Sequence, residues 1–154
     1  MHWFCETPSL QQIDPAWPAL PDTAMALLPK RRTGSELLGA EQVLAQQMGD
    51  SRLTDFAAGR ACAHLAQKHL GLSAQPILRD ERAPVWPKGQ CGSISHAKDW
   101  ALAAVSTSLR SIGVDAEAQG RVTQKLYRAL FRPEEVNAFS SCSDAAPSVA
   151  FAAK

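Results

Sequence analysis

One long helical pattern near the middle of the chain constrains the fold more than any other feature. The pattern starts at Asp50 or Ser51, either of which can cap a helix N-terminus, and runs to about Leu70. Gly71 follows as the residue type that commonly ends a helix. Because alanine, leucine, phenylalanine and cysteine occupy most sides of this helix, we expect it to be mostly buried.

A polar stripe interrupts the apolar surface of this helix. Arg60, His64 and Gln67 share one face, because residues three and four apart lie above one another on a helix. Two interpretations of His64 stay open, a buried histidine whose hydrogen bonds are satisfied and a functional group. Gly59, beside the stripe, leaves room for something to approach the helix.

The chain is long enough to build a core around this helix without disulfides or a structural metal. It has 154 residues, of which 45% are hydrophobic and 20% charged, as in globular proteins of one domain or slightly more. A net charge of +1 argues against bulk capture of nucleic acid. The cysteines form no Cys-x-x-Cys pair, and no apolar run is long enough to span a membrane. We therefore expect free thiols, a cytoplasmic protein, no nucleic-acid partner and no membrane span.

Prolines and hydrophobic spacing organise the rest of the chain. Half of the ten prolines fall in the first 29 residues, so the segment 1–34 is predicted to be extended and draped, without a central strand. Residues 35–48 have the apolar spacing of an amphipathic helix, and 80–92 are predicted to be a turn-rich loop. Three strands and three further helices are predicted: the strands at 75–79, 100–106 and 111–115, the helices at 121–131, from Pro133 and from Ser148.

Two carboxylates near residue 115 form a candidate metal site. Asp115 and Glu117 are two residues apart at the end of a predicted strand, which places both on one face. Hard carboxylate oxygens suit Mg²⁺, which commonly binds one or two carboxylates together with water and substrate phosphates. The alternative is a solvated strand end without a metal.

The motif Gly92-Ser-Ile-Ser-His96 is a candidate phosphate site. His96 can donate a hydrogen bond or a positive charge to a phosphate, and Ser95 is a neutral donor beside it. A serine hydrolase is disfavoured for two reasons. The G-x-S-x-G elbow is missing, and adjacent residues of a strand point to opposite faces.

Several arginines could bind the phosphates of the same ligand, since a guanidinium group matches phosphate geometry. They are Arg52, Arg60, Arg79 and Arg82. For each of them the alternative is an ordinary surface charge. The run Lys30-Arg-Arg32 is interpreted as surface charge, because no other candidate residue lies nearby in the sequence.

Taken in order, six short motifs resemble the 4′-phosphopantetheinyl transferases of the enterobactin synthase component D type. The motifs are Arg52-x-x-x-Phe56-x-x-Gly59-Arg60-x-Cys62-Ala63, Pro76-Ile-Leu-Arg79, Pro84-x-Trp86-Pro87-x-Gly89, Gly92-Ser-Ile-Ser-His96, Ile112-Gly-Val-Asp-Ala-Glu117 and Phe151-x-x-Lys154. The resemblance covers about Leu37 to the last residue. Each motif is weak alone, but six in the right order at plausible spacing are a strong signal.

The resemblance implies an α+β half-domain, with helices packed on a small sheet, whose second pseudo-symmetric half is largely missing. It divides the chain into an N-terminal segment 1–34, a transferase half 35–118 and the start of a second half, 119–154. The implied reaction is Mg²⁺-dependent transfer of 4′-phosphopantetheine from coenzyme A to a serine of an apo acyl or peptidyl carrier protein. Siderophore (enterobactin) biosynthesis is one pathway that such a transferase can serve.

The resemblance also implies roles for particular residues. Asp115, Ala116 and Glu117 take the metal positions, and Ser95 and His96 contact the coenzyme's phosphates. Arg52 and Arg60 match the positions that hold the 3′-phosphate. Arg79 and Arg82 match a basic stretch beside the nucleotide. The implied catalytic positions are His96 and Lys154.

The chain departs from the family pattern at its last motif. The family continues past the position of Lys154 with a glutamate, the expected general base, and a second lysine. We therefore expect weak turnover or none from this chain alone, because loss of a general base commonly slows a reaction by about 10²–10⁴-fold. The alternative, from a different class, is a non-catalytic module that binds coenzyme A or a carrier protein.

Overall fold

A computed structural model describes residues 2–5, 20–30, 36–81, 83–116, 129 and 131–134, with only the backbone described for 2–5. Two helices and six strands make up its regular structure. In chain order they are β1 (His2–Cys5), β2 (Thr23–Pro29), α1 (Ala40–Ala45), α2 (Asp50–His69), β3 (Leu78–Asp80), β4 (Ala83–Val85), β5 (Cys91–His96) and β6 (Trp100–Ser106). The predicted α+β class, with helices packed on a small sheet, is confirmed.

The long helix α2 ends as its sequence predicts. Gly71 adopts a φ of +74°, a left-handed conformation that glycine reaches without steric cost. Its N–H donates to the Lys68 carbonyl at 2.9 Å, and the Leu72 N–H donates to the Gln67 carbonyl at 3.0 Å. These two bonds form a Schellman motif, which satisfies carbonyls that the helix leaves without partners. The N-cap is Gly49, one residue before the predicted Asp50, and it makes no side-chain capping bond.

Four strands form the sheet against which α2 packs. Their order is β1-β2-β6-β5, with β1 parallel to β2 and the other neighbours antiparallel. Small side chains dominate the contact between α2 and the two central strands, so the helix can lie close to the sheet. They are Ala24, Ala26, Ala58, Cys62, Ala63, Ala66, Ala101, Ala103 and Val105.

A buried thiol lies at the centre of this contact. The Cys62 Sγ donates to the Ala101 carbonyl at 3.1 Å, and its side chain is fully buried. Burial raises the pKa of the Cys62 thiol to about 12, so it stays protonated at neutral pH. Cys62 and Cys91 are both free cysteines, as predicted.

The N-terminal segment differs from its prediction. The segment 1–34 was expected to drape over the fold, but β2 lies in the interior of the sheet, between β1 and β6, and Ala24 to Ala26 are buried. The prolines lie at the ends of this strand: Pro21 precedes it, and Pro29 is its last residue, paired with Trp100. The high proline content of the whole segment therefore does not apply to β2, which has no proline before its last residue.

Two other predicted elements are shorter or absent. The helix expected at 35–48 is formed only by Ala40–Ala45, yet Leu37, Leu44 and Met48 still pack around Phe56. The strand expected at 111–115 is wrong, because residues 111–116 have no regular secondary structure. In the first stretch the apolar residues are satisfied by packing around Phe56, which needs no continuous helix. In the second stretch the residues are exposed or half-buried.

A hairpin occupies part of the predicted loop 80–92. β3 pairs with β4 in a separate two-stranded sheet, and Glu81 in the connection has a φ of +46°. The strand predicted at 75–79 is therefore displaced toward the turn. The helices predicted at 121–131, from Pro133 and from Ser148 lie outside the described residues, except that positions 129, 133 and 134 are helical.

The chain divides into two compact units, Met1–Asp115 and Ala116–Lys154. The segment 1–34 thus belongs to the same unit as α2. Within the described ranges, no helix has the length and apolar character needed to cross a membrane.

A fully buried carboxylate joins α1 and α2 to the segment that enters the hairpin. Glu41 accepts hydrogen bonds from the backbone N–H groups of Leu38 (2.8 Å) and Ile77 (2.7 Å) and bonds the His64 Nε2 at 3.0 Å. The Arg60 Nε lies 3.8 Å from the same carboxylate. Burial alone raises the pKa of Glu41, but these hydrogen bonds outweigh it and hold the pKa below its ordinary value.

Replacing Glu41 with alanine is expected to destabilise the protein strongly. The change removes the acceptor of the Ile77 and Leu38 N–H groups and of His64, and it leaves the buried charge of Arg60 without its carboxylate, so the free energy of unfolding should fall by about 3–5 kcal/mol. Urea unfolding followed by circular dichroism measures this loss. Glu81→Ala, at an exposed turn, is the matched control and should change stability by less than about 0.5 kcal/mol. Equal effects of both variants would contradict the role of Glu41.

The lowered pKa of Glu41 also predicts a pH dependence of stability. A carboxyl group whose pKa is lower when folded stabilises the protein above its unfolded-state pKa, near 4.5, and this contribution is lost as the pH falls through the folded-state pKa. Unfolding curves measured from pH 7 down to pH 3 should show this loss in the wild type. Glu41→Gln, which cannot titrate, should lack that part of the pH dependence.

Candidate functional site

The end of β5 places two candidate residues on opposite faces of the sheet. The Ser95 Oγ donates to the Asp115 Oδ1 at 2.7 Å, whereas the His96 ring lies against α2 on the other face. This alternation is the one expected for a strand, and it rules out a direct Ser95–His96 nucleophile pair. Because β5 is the last strand in the order of the sheet, a ligand at this edge can reach both faces.

His96 binds the backbone of α2 through one ring nitrogen. Its Nε2 lies 2.6 Å from the Asp55 carbonyl oxygen. A carbonyl can only accept, so Nε2 carries a proton. Burial lowers the pKa of His96, and the positive charges of Lys30 and Arg60 act in the same direction, against the opposing effect of Asp55.

Gly59 allows this close contact. A Cβ at this position would lie 2.7 Å from the Ile94 Cγ2 and 2.8 Å from the His96 Nε2, closer than side chains approach one another. The room that Gly59 provides is thus filled by β5.

Lys30 and Asp55 form an ion pair beside the histidine. The Lys30 Nζ lies 2.7 Å from the Asp55 Oδ1, and only 13% of the Lys30 side chain is exposed. The interpretation of Lys30 as a surface charge is therefore wrong. The sequence gives no sign of this pair, because 25 residues separate its members and only the fold brings them together. Arg31 and Arg32 lie outside the described residues.

Arg60 lies in the core rather than at the surface. It is 6% exposed, its Nε donates to the Ile77 carbonyl at 2.7 Å, and its Nη2 donates to the Leu78 carbonyl at 3.1 Å. The guanidinium carbon lies 4.4 Å from the centre of the Phe56 ring. Burial lowers the pKa of Arg60 to about 10, with Glu41 acting against this effect and Arg79 adding to it, so the group stays charged at neutral pH. This geometry gives Arg60 a structural role, and its contact with a 3′-phosphate stays a prediction.

The other members of the polar stripe are also buried and bonded. His64 bonds Glu41, and the Gln67 side chain donates to the Gln90 Oε1 at 2.8 Å and accepts from the Gln75 N–H at 3.0 Å. Among the described residues, every buried side-chain nitrogen and oxygen has a partner. Of the two interpretations of His64, the buried one therefore holds.

The remaining arginines occupy different positions. Arg52 is exposed near the start of α2, and about 12 Å of helix axis separates it from Arg60. Arg79 is half-buried on β3, opposite Pro84. Arg82, Glu117 and Lys154 lie outside the described residues, so their predicted roles stay predictions.

Two of the three residues predicted to bind Mg²⁺ lie within the described part of the chain. Asp115 is an exposed carboxylate fixed by Ser95, and Ala116 follows it in the chain. Among the described residues, no group of three or more His, Cys, Asp or Glu side chains is placed to hold a metal ion. One oriented carboxylate nevertheless fits Mg²⁺, which binds few protein carboxylates and takes its other oxygens from water and substrate phosphates.

Comparison with protein families places residues 40–106 in a known domain. They match the 4′-phosphopantetheinyl transferase N-terminal domain, and the matched range contains α1, α2 and β3 to β6. It includes Arg52, Arg60, Arg79, Ser95 and His96, and it ends before Asp115.

Individual proteins similar to this chain are named as 4′-phosphopantetheinyl transferases or enterobactin synthase components. 4′-Phosphopantetheinyl transferase Npt of Nocardia iowensis is 36% identical over 99 residues, covering 62% of this chain and 45% of that protein. Enterobactin synthase component D of Escherichia coli O157:H7 is 36% identical over 114 residues, covering 71% of this chain and 54% of that protein. The crystal structure of a holo-(acyl-carrier-protein) synthase from Bacillus anthracis in complex with CoA (3′,5′-ADP) has 25% identity and a TM-score of 0.46, covering 55% of this chain and 92% of that one.

The chain spans about half the length of the curated relatives it matches. Four of the six motifs that carry the resemblance lie within the matched range, from Arg52 on α2, through the segments around the β3–β4 hairpin, to His96 on β5. By its matched domain and its relatives, the chain belongs to the 4′-phosphopantetheinyl transferase family.

Proposed function

We propose that this chain is part of an enzyme that transfers 4′-phosphopantetheine from coenzyme A to a serine hydroxyl of an apo acyl or peptidyl carrier protein. In this reaction the serine oxygen bonds to the β-phosphorus of coenzyme A. The bond to the leaving phosphate breaks, and adenosine 3′,5′-bisphosphate is released. The names of the similar proteins support the reaction class, and siderophore assembly of the enterobactin type is the pathway we favour.

The observation that carries this proposal is the arrangement at the end of β5. Ser95 holds the Asp115 carboxylate at 2.7 Å from its hydroxyl, and the adjacent His96 is fixed against α2. A pyrophosphate at this edge would meet a metal-binding carboxylate from one face and an imidazole from the other. Transfer of a phosphoryl-type group needs this alignment and charge neutralisation more than it needs a covalent intermediate.

We assign Mg²⁺ to Asp115, with Ala116 and Glu117 as the next ligands along the chain. When bound, the ion would neutralise the charge of the pyrophosphate. The hydroxyl of Ser95 donates to Asp115, which orients the carboxylate before any ion arrives. A carboxylate beside the ion would also accept the proton of the carrier serine, directly or through a water molecule.

We assign the basic residues to the nucleotide end of coenzyme A. Arg52 is exposed on α2 and can reach a 3′-phosphate, while Arg60 holds the backbone at Ile77 and Leu78 that leads into β3. That strand carries Arg79, and Arg82 follows three residues later in the sequence. We further place the enzyme in a reducing cytoplasm, because Cys62 and Cys91 are free thiols.

Replacing Asp115 with alanine is expected to abolish Mg²⁺-dependent binding of coenzyme A. Calorimetric titration with and without Mg²⁺ measures this effect. Asp99→Ala, at an exposed position in the β5–β6 connection, is the matched control and should bind as the wild type does. Unchanged binding by Asp115→Ala would contradict the metal assignment.

Mass spectrometry of an apo carrier protein tests the reaction itself. Incubation with a high concentration of the chain, coenzyme A and Mg²⁺ should add the mass of one phosphopantetheine group to a small fraction of the carrier, because this chain alone is expected to turn over weakly. Coenzyme A binding without any modification, even at high protein concentration, would instead support the non-catalytic binding module.

Replacing Arg52 with alanine is expected to weaken coenzyme A binding by about tenfold or more, because a charge-assisted hydrogen bond to phosphate is worth about 1.5–3 kcal/mol. The loss should be absent with dephospho-coenzyme A, which lacks the 3′-phosphate. Arg110→Ala, an exposed arginine elsewhere, is the control. An equal loss with both ligands would show that Arg52 does not bind the 3′-phosphate.

A further inference from the structure

We propose that Gly59 and the backbone carbonyl of Asp55 are positioning residues that form a seat for the His96 ring and leave its Nδ1 as the nitrogen that meets the ligand. The inference rests on the proposed function for the identity of that ligand, a phosphate of coenzyme A. The seat itself depends only on contacts within the chain.

The first element of the seat is the bare backbone at Gly59. A Cβ built there would lie 2.8 Å from the His96 Nε2 and 3.2 Å from its Cε1. It would also lie 2.7 Å from the Cγ2 of Ile94, which packs against the core from the same strand. A side chain at 59 would therefore have to displace both Ile94 and the histidine ring.

The second element is the Asp55 carbonyl, which fixes the tautomer. Asp55 lies one helical turn before Gly59. The His96 ring crosses this turn, and its Nε2 lies 2.6 Å from the Asp55 carbonyl oxygen. An acceptor at this distance keeps the proton on Nε2. In the neutral ring Nδ1 then holds the lone pair, and a proton taken up on Nδ1 would be directed to an anionic ligand.

The third element neutralises the acid beside the ring. The Asp55 carboxylate would repel a phosphate if it stood alone, but the Lys30 Nζ lies 2.7 Å from it. The ion pair joins the end of β2 to α2, next to the histidine on β5. Because Lys30 neutralises the Asp55 carboxylate, the Asp55 carbonyl can hold the His96 ring while the side chain does not repel a phosphate.

Nitrogen-15 NMR of histidine-labelled protein tests the seat without any ligand. The two ring nitrogens of His96, assigned by comparison with His96→Ala, should show Nε2 protonated and Nδ1 unprotonated in the neutral wild type. Gly59→Ala should shift this equilibrium toward a mixture of tautomers. Gly113→Ala is the matched control, because a Cβ at Gly113 meets nothing within 4 Å. A wild type with the proton on Nδ1 overturns the proposal, whether or not Gly59→Ala folds.

A double-mutant cycle tests whether the seat acts through His96. Gly59→Ala should weaken coenzyme A binding by about tenfold or more in the wild type and by clearly less when combined with His96→Ala, where only the contact with Ile94 is left. An equal loss in both backgrounds would show that Gly59 serves only the fold and would overturn the proposal. If the wild type fails to bind coenzyme A, the proposed function fails, and with it the ligand assigned to Nδ1. A proton on Nδ1 in a wild type that does bind coenzyme A overturns the seat alone.

Discussion

The close contact between α2 and the sheet is the constraint on which the rest of this structure depends. Alanines on both sides and the thiol of Cys62 fill the space between the helix and the two central strands. Larger side chains there would hold the elements apart, since interiors are close-packed. At the edge of the same contact, Gly59 brings β5 against the helix backbone. The position of His96 is therefore set by the packing of the core.

A second constraint is electrostatic and acts along the polar stripe of α2. Glu41 satisfies two backbone N–H groups and bonds His64, while Arg60 binds the carbonyls of Ile77 and Leu78. Together they fix the segment that leads into the hairpin carrying Arg79. Arg60, which is predicted from the sequence to bind phosphate, thus also holds in place the backbone that leads to Arg79.

The parts of the fold that the sequence predicted have strong local signals. The helix α2, its end at Gly71 and the strand β6 follow from periodicity and turn chemistry within a few residues. The opposite directions of Ser95 and His96 follow from strand geometry alone. β2 was missed because its proline-free stretch is short, and a strand was wrongly expected at 111–115 because branched residues there favour one. β2 forms because it pairs with β1 and β6, whereas residues 111–115 pair with no strand in the described part of the chain. Local sequence does not encode either outcome.

By itself, the sequence determined the family, the chemistry of its motifs and the residues that could bind phosphate or Mg²⁺, because these depend on residue type and order. Only the tertiary structure separated the roles of those residues. It buried Arg60 and His64 around Glu41, placed Lys30 on Asp55 and directed Asp115 to Ser95. Spacing along a helix shows which side chains share a face. Whether that face meets solvent or another element depends on contacts between residues far apart in the chain.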